Sequence, residues 1–301
     1  MKVLIAGSSG LVGSALIDSF RATGDEPLPL LRQNRSKESP SWNPETGVID
    51  LAGVKDITAV VNLAGDNISE GRWNEQKKKR IIDSRVKGTR LLSEYFVSSG
   101  QKPDVIISAS AVGYYGERGE ELVDETCESG NGFLADVCRQ WEGATSVAVE
   151  AGIRVVNLRF GVILSAAGGP LKKMLFPFNK GVGAVIGSGK QYMSWVSIVD
   201  VVEIIRWVIE QESLEGSLNL VSPRAVSNRE FTKTLGRLLH RPTVFRMPSF
   251  VARLAFGEMA DELLLASTRA VPEKLVASGY RFRHPELCGA LEQLLQSPES
   301  V

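Results

Sequence analysis

The first thirteen residues constrain the fold of this chain more than any other stretch. Residues 3–6 form a short apolar run, long enough for a buried strand and too short for a helix. A glycine-rich turn follows, and residues 14–21 then show the apolar periodicity of a helix. A strand, a glycine turn and a helix in this order are the context in which such a turn binds a dinucleotide. The predicted binding turn consists of Gly7, Ser8, Ser9, Gly10, Leu11, Val12 and Gly13.

Each glycine of this turn has a distinct expected role. Gly7 allows the tight turn, Gly10 lets the backbone approach a pyrophosphate, and Gly13 lets the helix pack close to the strand. Backbone N–H groups and the positive end of the helix dipole then hold the phosphate charge. The alternative is a glycine loop that only joins strand to helix. The preceding strand and the spacing of the glycines favour the binding turn.

The composition narrows the class of protein. Lys plus Arg equals Asp plus Glu, at 35 each, which predicts no nucleic-acid partner and no attraction to a membrane surface. No apolar run approaches the ~20 residues that span a bilayer, and because the first strand begins at once, we expect no signal peptide. Three scattered cysteines, Cys127, Cys138 and Cys288, are expected to be reduced thiols of a cytoplasmic protein. With only His240 and His284 available, we expect neither a metal site nor a histidine triad.

The end of the second strand, expected over residues 27–31, selects the cofactor. An acidic residue there would bind the ribose hydroxyls of NAD, whereas a basic residue suits the 2′-phosphate of NADP. Arg32 stands where the strand stops, and a guanidinium forks onto phosphate oxygens. Arg35 and Lys37 follow, and for these two a solvated basic loop is an equal alternative. The sequence therefore predicts NADP(H).

Two further strand ends carry small or hydroxylated residues. A buried strand begins at residue 60 and closes on Leu63, Ala64 and Gly65, where a cofactor could lie against bare backbone. The alternative is a plain strand end with a turn. A later strand from residue 105 leads to Ser108 and Ser110, and hydroxyls at the carboxyl end of an inner strand face the ligand crevice.

The remaining pattern predicts connecting helices and a helix-rich end. Residues 72–96 are predicted to form a helix, the glycine-rich run 168–189 a loop across the cleft, and Asp200 the cap of a helix over 201–210. Asp200 is therefore given a structural role. Beyond residue 222, helices are predicted over 228–239, 249–256, 260–267 and 287–295.

In chain order these motifs resemble a known superfamily. They include Gly7-x-x-Gly10-x-x-Gly13, Asn62-Leu63-Ala64-Gly65, the Arg85 to Leu92 segment, Ser108-x-Ser110, Tyr115-Gly116, Leu158 to Gly161 and Trp195 to Val201. The order is similar to that of the extended short-chain dehydrogenase/reductases, which include the sugar-nucleotide epimerases. The whole chain resembles an atypical branch of that superfamily, the NAD(P)-dependent epimerase family proteins.

Two departures from the superfamily pattern concern chemistry. Arg85 stands where an Asn usually touches the cofactor, and we expect it to reach a cofactor phosphate or ribose. The catalytic Tyr-x-x-x-Lys pair is missing, and the register places Phe133 and Val137 at its positions. Neither side chain transfers a proton. Tyr114 and Tyr115 are left as candidate acids, with Ser108 and Ser110 beside them; the alternative for Tyr115 is a structural ring.

The sequence therefore predicts an α/β fold, with a Rossmann doubly wound parallel sheet and a smaller, helix-rich C-terminal substrate domain. Residues 1–165 with 190–222 should form the NADP-binding domain, and residues 166–189 with 223–301 the substrate domain. The expected function is an NADP(H)-dependent oxidoreductase or epimerase acting on a small, sugar-like substrate. The alternative is a non-catalytic NADP(H)-binding redox sensor or partner-binding protein. The resemblance also implies a homodimer, formed through helices in 72–96 and 131–149.

Overall fold

A six-stranded parallel sheet forms the centre of the molecule. The computed structural model describes residues 1–32 and 39–296. The sheet has the order β13-β8-β6-β5-β1-β2. Its strands are β1 (Lys2–Ala6), β2 (Glu26–Leu30), β5 (Ala59–Asn62), β6 (Val105–Ala111), β8 (Val155–Phe160) and β13 (Gly216–Leu220). The chain passes from β1 to β2 on one side and then returns to β5 on the other, so the strand order reverses beside β1. Ligands bind outside the carboxyl ends of the strands at such a point.

Helices cover the sheet and build the C-terminal part. They are α1 (Leu11–Ala22), α2 (Glu75–Ser98), α3 (Phe133–Gly143), α4 (Ser146–Glu150), α5 (Gly169–Asn179), α6 (Ile198–Glu210), α7 (Asn228–Leu238), α8 (Ser249–Phe256), α9 (Glu273–Ala277) and α10 (Leu287–Gln296). A 3₁₀ turn covers Val112–Tyr115, and a π-helical segment covers Ala260–Leu265. That segment covers residues 260–265 of the helix predicted over 260–267, and the chain is already extended at Ala266.

The other strands pair two by two. Antiparallel pairs are β3 (Ser41–Asn43) with β4 (Val48–Asp50) and β11 (Tyr192–Met193) with β14 (Val226–Ser227). Parallel pairs are β9 (Val162–Leu164) with β12 (Trp195–Ser197), β7 (Leu122–Val123) with β16 (Arg269–Ala270), and β10 (Ala184–Ile186) with β15 (Phe245–Met247).

The central strands are buried on both faces, which explains their continuous apolar runs. Val3 and Ile5 of β1 point into a core that includes α1 and α6. Leu4 and Ala6 point the other way, into a core that includes α2 and α4. The doubly wound fold predicted from the sequence is thus confirmed.

A third core holds the C-terminal part together. Its members include Leu171 of α5, Phe231 of α7 and Leu291 of α10, packed with Trp195 of β12. Leu275 of α9, in contrast, returns to the core beneath the main sheet.

The predicted loop across 168–189 is wrong in its first half, because α5 occupies it. Pro170 stands in the first turn of α5, where its missing N–H is no loss. Pro177 lies in the helix near its end. Proline and glycine here mark a helix start rather than an irregular segment.

The predicted cap of α6 is also corrected. Ser197 is the N-cap, and its hydroxyl accepts the amide of Asp200 at 3.0 Å. The Asp200 carboxylate is fully buried, accepts hydrogen bonds from Ser197 and from the backbone of His284, and so ties the C-terminal segment to α6. This buried Ser-His-Asp group serves the structure, in agreement with the structural role given to Asp200.

Candidate functional site

The glycine turn brings the ends of β1 and β5 into contact. Gly7 has φ 79°, and a Cβ at this position would lie 2.8 Å from the backbone carbon of Leu63. Only glycine accepts both the left-handed backbone and that approach. The turn therefore lies directly beside the Leu63–Gly65 loop at the point where the strand order reverses.

The other two glycines behave differently from each other. A Cβ on Gly13 would lie 2.3 Å from the Gly7 carbonyl oxygen, so this glycine permits the close contact of α1 with the turn. A Cβ on Gly10 would meet, among the described residues, only that same oxygen at 3.3 Å. Gly10 is exposed and its remaining surroundings are open. The space above Gly10 is a cradle that a side chain would fill.

The start of α1 offers amide donors to this cradle. In the described chain no side chain caps the helix, and the first amide to bond back is that of Ser14, to the Gly10 carbonyl. The amides of Leu11, Val12 and Gly13 are the N–H groups that a helix start leaves without partners. Ser8 is buried and Ser9 is exposed in the same turn. This arrangement fits the pyrophosphate of a dinucleotide.

A buried polar group fixes the end of β5. The Asn62 amide donates to the Thr89 hydroxyl at 2.8 Å, and Trp141 Nε1 donates to the same hydroxyl at 2.9 Å. The Asn62 side-chain oxygen accepts the amide of Ala64 at 3.3 Å. These bonds join β5, α2 and α3 beneath the Leu63–Gly65 loop.

One face of α2 holds the next part of that loop. Lys77 is buried, and its ammonium lies 2.6 Å from the Asp66 carboxylate and 2.7 Å from the Asn67 carbonyl. Ser84 accepts the amide of Asp66 at 2.9 Å, and Arg85 donates to the Asp66 carbonyl at 3.1 Å. The loop after Gly65 is therefore fixed by three side chains of a single helix.

Arg85 lies under the loop, where the sequence placed a cofactor contact. Its guanidinium donates to the Ile81 carbonyl and lies 5.0 Å from the Trp141 ring. A Cβ on Gly65 would come within 3.2 Å of it. Burial lowers the pKa of Arg85. The structure thus brings Arg85 to the Gly65 edge of the cleft.

Arg32 lies two residues beyond β2, whose last residue, Leu30, pairs with Ala6 of β1. It is exposed and stands on the same sheet edge as the glycine turn. Arg35 and Lys37 lie outside the described residues.

The end of β6 leads into a buried ionic group. Ser110 donates to Glu142 Oε1 at 2.7 Å, and Arg159 holds the same carboxylate through two bonds of 2.9 Å. Ser217 donates to Glu142 Oε2 at 3.0 Å, and Ser108 is fully buried. The hydroxyl proton of Ser110 is directed at Glu142.

The two tyrosines after β6 differ in exposure. Tyr115 is fully buried, donates to Asn219 at 2.7 Å and accepts from Arg159 at 3.0 Å. Burial outweighs the opposing effect of Arg159 and raises the pKa of Tyr115 to about 12. Tyr114 is partly exposed, and the Arg159 guanidinium lies 3.5 Å from its ring centre. Of the two phenols, Tyr114 is the one open to a ligand.

At the start of α3, Leu134 rather than Phe133 faces the cleft. Phe133 packs instead on the start of α2 and the segment before it, with its ring 5.1 Å from the Lys78 ammonium and 5.2 Å from the ring of Trp73. Leu134 lies against Gly113 instead, and both line the cleft.

One turn further along α3, Cys138 faces the end of β6. The Cys138 thiol contacts the Ala111 carbonyl at the end of β6, whereas the sequence assigned this place to Val137. Burial raises the pKa of Cys138 to about 11, so the thiol stays protonated at neutral pH. Leu134 and Cys138 therefore face the end of β6 and the turn that follows it.

A cavity of about 350 Å³ opens beside Leu134. Its remaining walls are Gly113, Gly116, Glu117, Asn131, Arg253, Asp261, Glu262, Leu265, Ala266 and Thr268. The Glu262 carboxylate accepts the amides of Phe133 and Leu134 at 3.2 and 3.1 Å, so the π-helical segment closes onto the start of α3. Sequence patterns gave no signal for Glu262, because its contact spans 128 residues. Within residues 1–32 and 39–296, no three His, Cys, Asp or Glu side chains are grouped to hold a metal.

Comparison with known proteins identifies the family. The model of the NAD dependent epimerase/dehydratase family matches residues 3–220, and that of a domain of unknown function matches residues 247–294. This chain belongs to the NAD dependent epimerase/dehydratase family. The resemblance drawn from its motifs is thereby confirmed.

Relatives from this family match over nearly the whole chain. An epimerase family protein of Mycobacterium tuberculosis is 46% identical, covering 96% of both chains. The crystal structure of human epimerase family protein SDR39U1 with NADPH is 33% identical, with a TM-score of 0.90, covering 98% of this chain and 99% of that one. The Thermus thermophilus UDP-glucose 4-epimerase, at 20% identity and a TM-score of 0.73, shares the fold.

None of the helices in the described ranges has the length and apolar character needed to cross a membrane.

Proposed function

We propose that this chain binds NADP(H) and acts on a small substrate held in the cavity beside Leu134, either reducing it with NADPH or epimerising it by passing a hydride to NADP⁺ and back. The observation that carries the proposal is the open cradle above Gly10, at the start of α1, where no side chain of the described residues caps the first helix amides and an added side chain would fill the space. Support comes from the human relative, whose structure holds NADPH. Arg32 would take the 2′-phosphate from the edge of β2.

The cofactor would extend from the glycine turn across the Leu63–Gly65 loop toward the end of β6. Ser8, Ser9, Leu11 and Val12 would surround its pyrophosphate, and Ala64, Gly65 and Arg85 its middle part. NADPH supplies the hydride, and the chain orients it and handles the proton. Tyr114 is the proposed proton donor, because the hydroxyls of Tyr115 and Ser110 already donate to Asn219 and Glu142.

We propose the domain division expected from the sequence, with the substrate side built from 166–189 and 223–301. The third core supports this division, since α5, α7 and α10 pack together within it. We also propose that the chain forms a homodimer through α2 and α3 and that it is located in the cytoplasm.

A second function is favoured by Leu134 and Cys138, which cannot replace a catalytic Tyr and Lys. The chain would then be a non-catalytic NADP(H) sensor.

The deciding experiment follows NADPH oxidation with a broad panel of aldehydes, ketones and keto sugars. Turnover that Tyr114→Phe lowers by about 10²-fold or more supports the enzyme and its donor. Turnover that is unchanged in Tyr114→Phe refutes the role of Tyr114 as proton donor, but not the enzymatic function. Absence of NADPH oxidation, and of epimerisation of the keto and hydroxy sugars in the presence of NADP⁺, together with different affinities for NADPH and NADP⁺, supports the sensor.

A further inference from the structure

Two segments of the C-terminal half carry positive charge without any acidic residue. Residues 166–199 contain four lysines, and residues 231–257 contain one lysine and four arginines, with no Asp or Glu in either segment. All nine side chains are exposed. The chain as a whole is neutral, so its acidic residues lie elsewhere in the sequence. The nine are Lys172, Lys173, Lys180, Lys190, Lys233, Arg237, Arg241, Arg246 and Arg253.

The fold places these two segments side by side. Strand β10 of the first pairs in parallel with strand β15 of the second, in the register Ala184 to Phe245. The amide of Gly187 then bonds to the Met247 carbonyl at 2.8 Å. Helix α5 precedes β10 and helix α8 follows β15 in the chain, so each helix is joined to one strand of the same small sheet.

Large apolar side chains are exposed on the same two segments. They are Phe176 (72% exposed), Val182 (54%), Val244 (77%), Phe245 (52%), Phe250 (69%) and Leu254 (74%). This set holds the four most exposed large hydrophobic side chains of the described chain. Phe250 and Leu254 are four residues apart and so share one face of α8. These six residues and the nine basic ones are called the basic–apolar surface below.

The positive charge of this surface is largely uncompensated. Of its nine basic residues, Arg253 alone forms a salt bridge in the described part of the chain, with Asp261 at 2.8 Å. Lys173 and Arg237 contact the neutral groups of Ser69 and Cys288. Repulsion among like charges and contact of apolar groups with water both disfavour leaving such a surface bare.

We propose that the basic–apolar surface binds the anionic lipid headgroups of a membrane, as a peripheral contact. Aliphatic and aromatic side chains gain by entering the boundary between headgroups and acyl chains, and Lys and Arg pair with lipid phosphates. A nucleic acid would use the charges and could stack on Phe, but it gives Val182, Val244 and Leu254 nothing to contact. The net charge of the chain gives no sign of this surface, because acidic residues in other segments cancel its basic residues in the sum.

The test is co-sedimentation of the full chain with vesicles of equal parts phosphatidylcholine and phosphatidylglycerol, and with vesicles of phosphatidylcholine alone. We expect binding to the mixed vesicles only, and weaker binding as salt rises. Lys180→Gln combined with Arg246→Gln lowers the partition coefficient about 25-fold, at about fivefold per charge. Phe250→Ser with Leu254→Ser lowers it as well. Val149→Ser, at a 56% exposed apolar position on α4, leaves it unchanged.

Equal binding to both vesicle types overturns the proposal, and so does a Phe250→Ser/Leu254→Ser variant that binds like wild type. Self-association that this variant abolishes, without vesicle binding by wild type, assigns the surface to a second copy of the chain and also refutes lipid binding. Circular dichroism checks that each variant keeps the native fold. If Phe250→Ser/Leu254→Ser unfolds, the charge variant Lys180→Gln/Arg246→Gln still tests the proposal. The test does not depend on NADPH, so it stands apart from the proposed function.

Discussion

The same substitution at two glycines of one turn should give opposite results. In Gly13→Ala the new methyl would lie 2.3 Å from the Gly7 carbonyl oxygen, a backbone atom that cannot rotate away. We expect a loss of at least ~2 kcal/mol in the free energy of unfolding, because overpacking forces the backbone to shift. For a chain of this size that lowers the melting temperature by about 4–8 °C.

Gly10→Ala should leave the fold intact and remove the cofactor. The methyl would lie 3.3 Å from the same oxygen, and φ is −79°, which any residue adopts. The free energy of unfolding should change by less than ~1 kcal/mol. The methyl fills the cradle, however, and would separate a phosphate from two or more amides. Charged hydrogen bonds contribute ~1.5–3 kcal/mol each, so NADPH affinity should fall at least ~100-fold.

The assay measures both quantities on both variants. Thermal unfolding by circular dichroism without ligand gives the stability, and fluorescence titration with NADPH gives the affinity. If Gly10→Ala binds NADPH like wild type, the turn is only a connection between strand and helix. If Gly13→Ala unfolds at the wild-type temperature, the contact assigned to Gly13 is wrong.

Three further variants test separate parts of the account. Arg32→Ala should shrink the preference for NADPH over NADH at least ~10-fold in calorimetric titrations, and an unchanged ratio refutes its phosphate contact. Lys77→Met should weaken NADPH binding about 10-fold by releasing the loop beyond Gly65, whereas exposed Lys79→Met should have no effect in the same titration. Tyr115→Phe should cost ~1–3 kcal/mol in chemical denaturation at neutral pH, and Tyr114→Phe much less. Because the folded pKa of Tyr115 is about 12 and its ordinary value 10.0, wild-type stability should fall as pH rises from 10 to 12, and less so in Tyr115→Phe.

Local sequence signals predicted the first strand, the glycine turn and the parallel sheet well. The order of strand, glycine turn and helix is encoded within residues 2–22, so the roles of Gly7 and Gly13 follow from neighbours in the chain. The parallel sheet follows from apolar runs that are buried on both faces. These features depend on contacts close in sequence or on a pattern repeated in every strand.

The substrate side depends on contacts that no local pattern records. Glu262 reaches the start of α3 across 128 residues, and Glu142 gathers Ser110, Arg159 and Ser217 from three strands. The sequence pattern placed Phe133 in the cleft, whereas Leu134 lines the cavity, because both residues are apolar and the pattern does not distinguish them. Which of them faces the cleft is decided by packing on α2.

Binding of NADPH at the glycine turn is tested by an equilibrium titration of purified wild-type protein with NADPH, and in parallel with NADH. We expect one NADPH bound per chain, at least ~10-fold tighter than NADH, from the contact of Arg32 with the additional phosphate. The absence of NADPH binding, or equal affinity for the two dinucleotides, would contradict it.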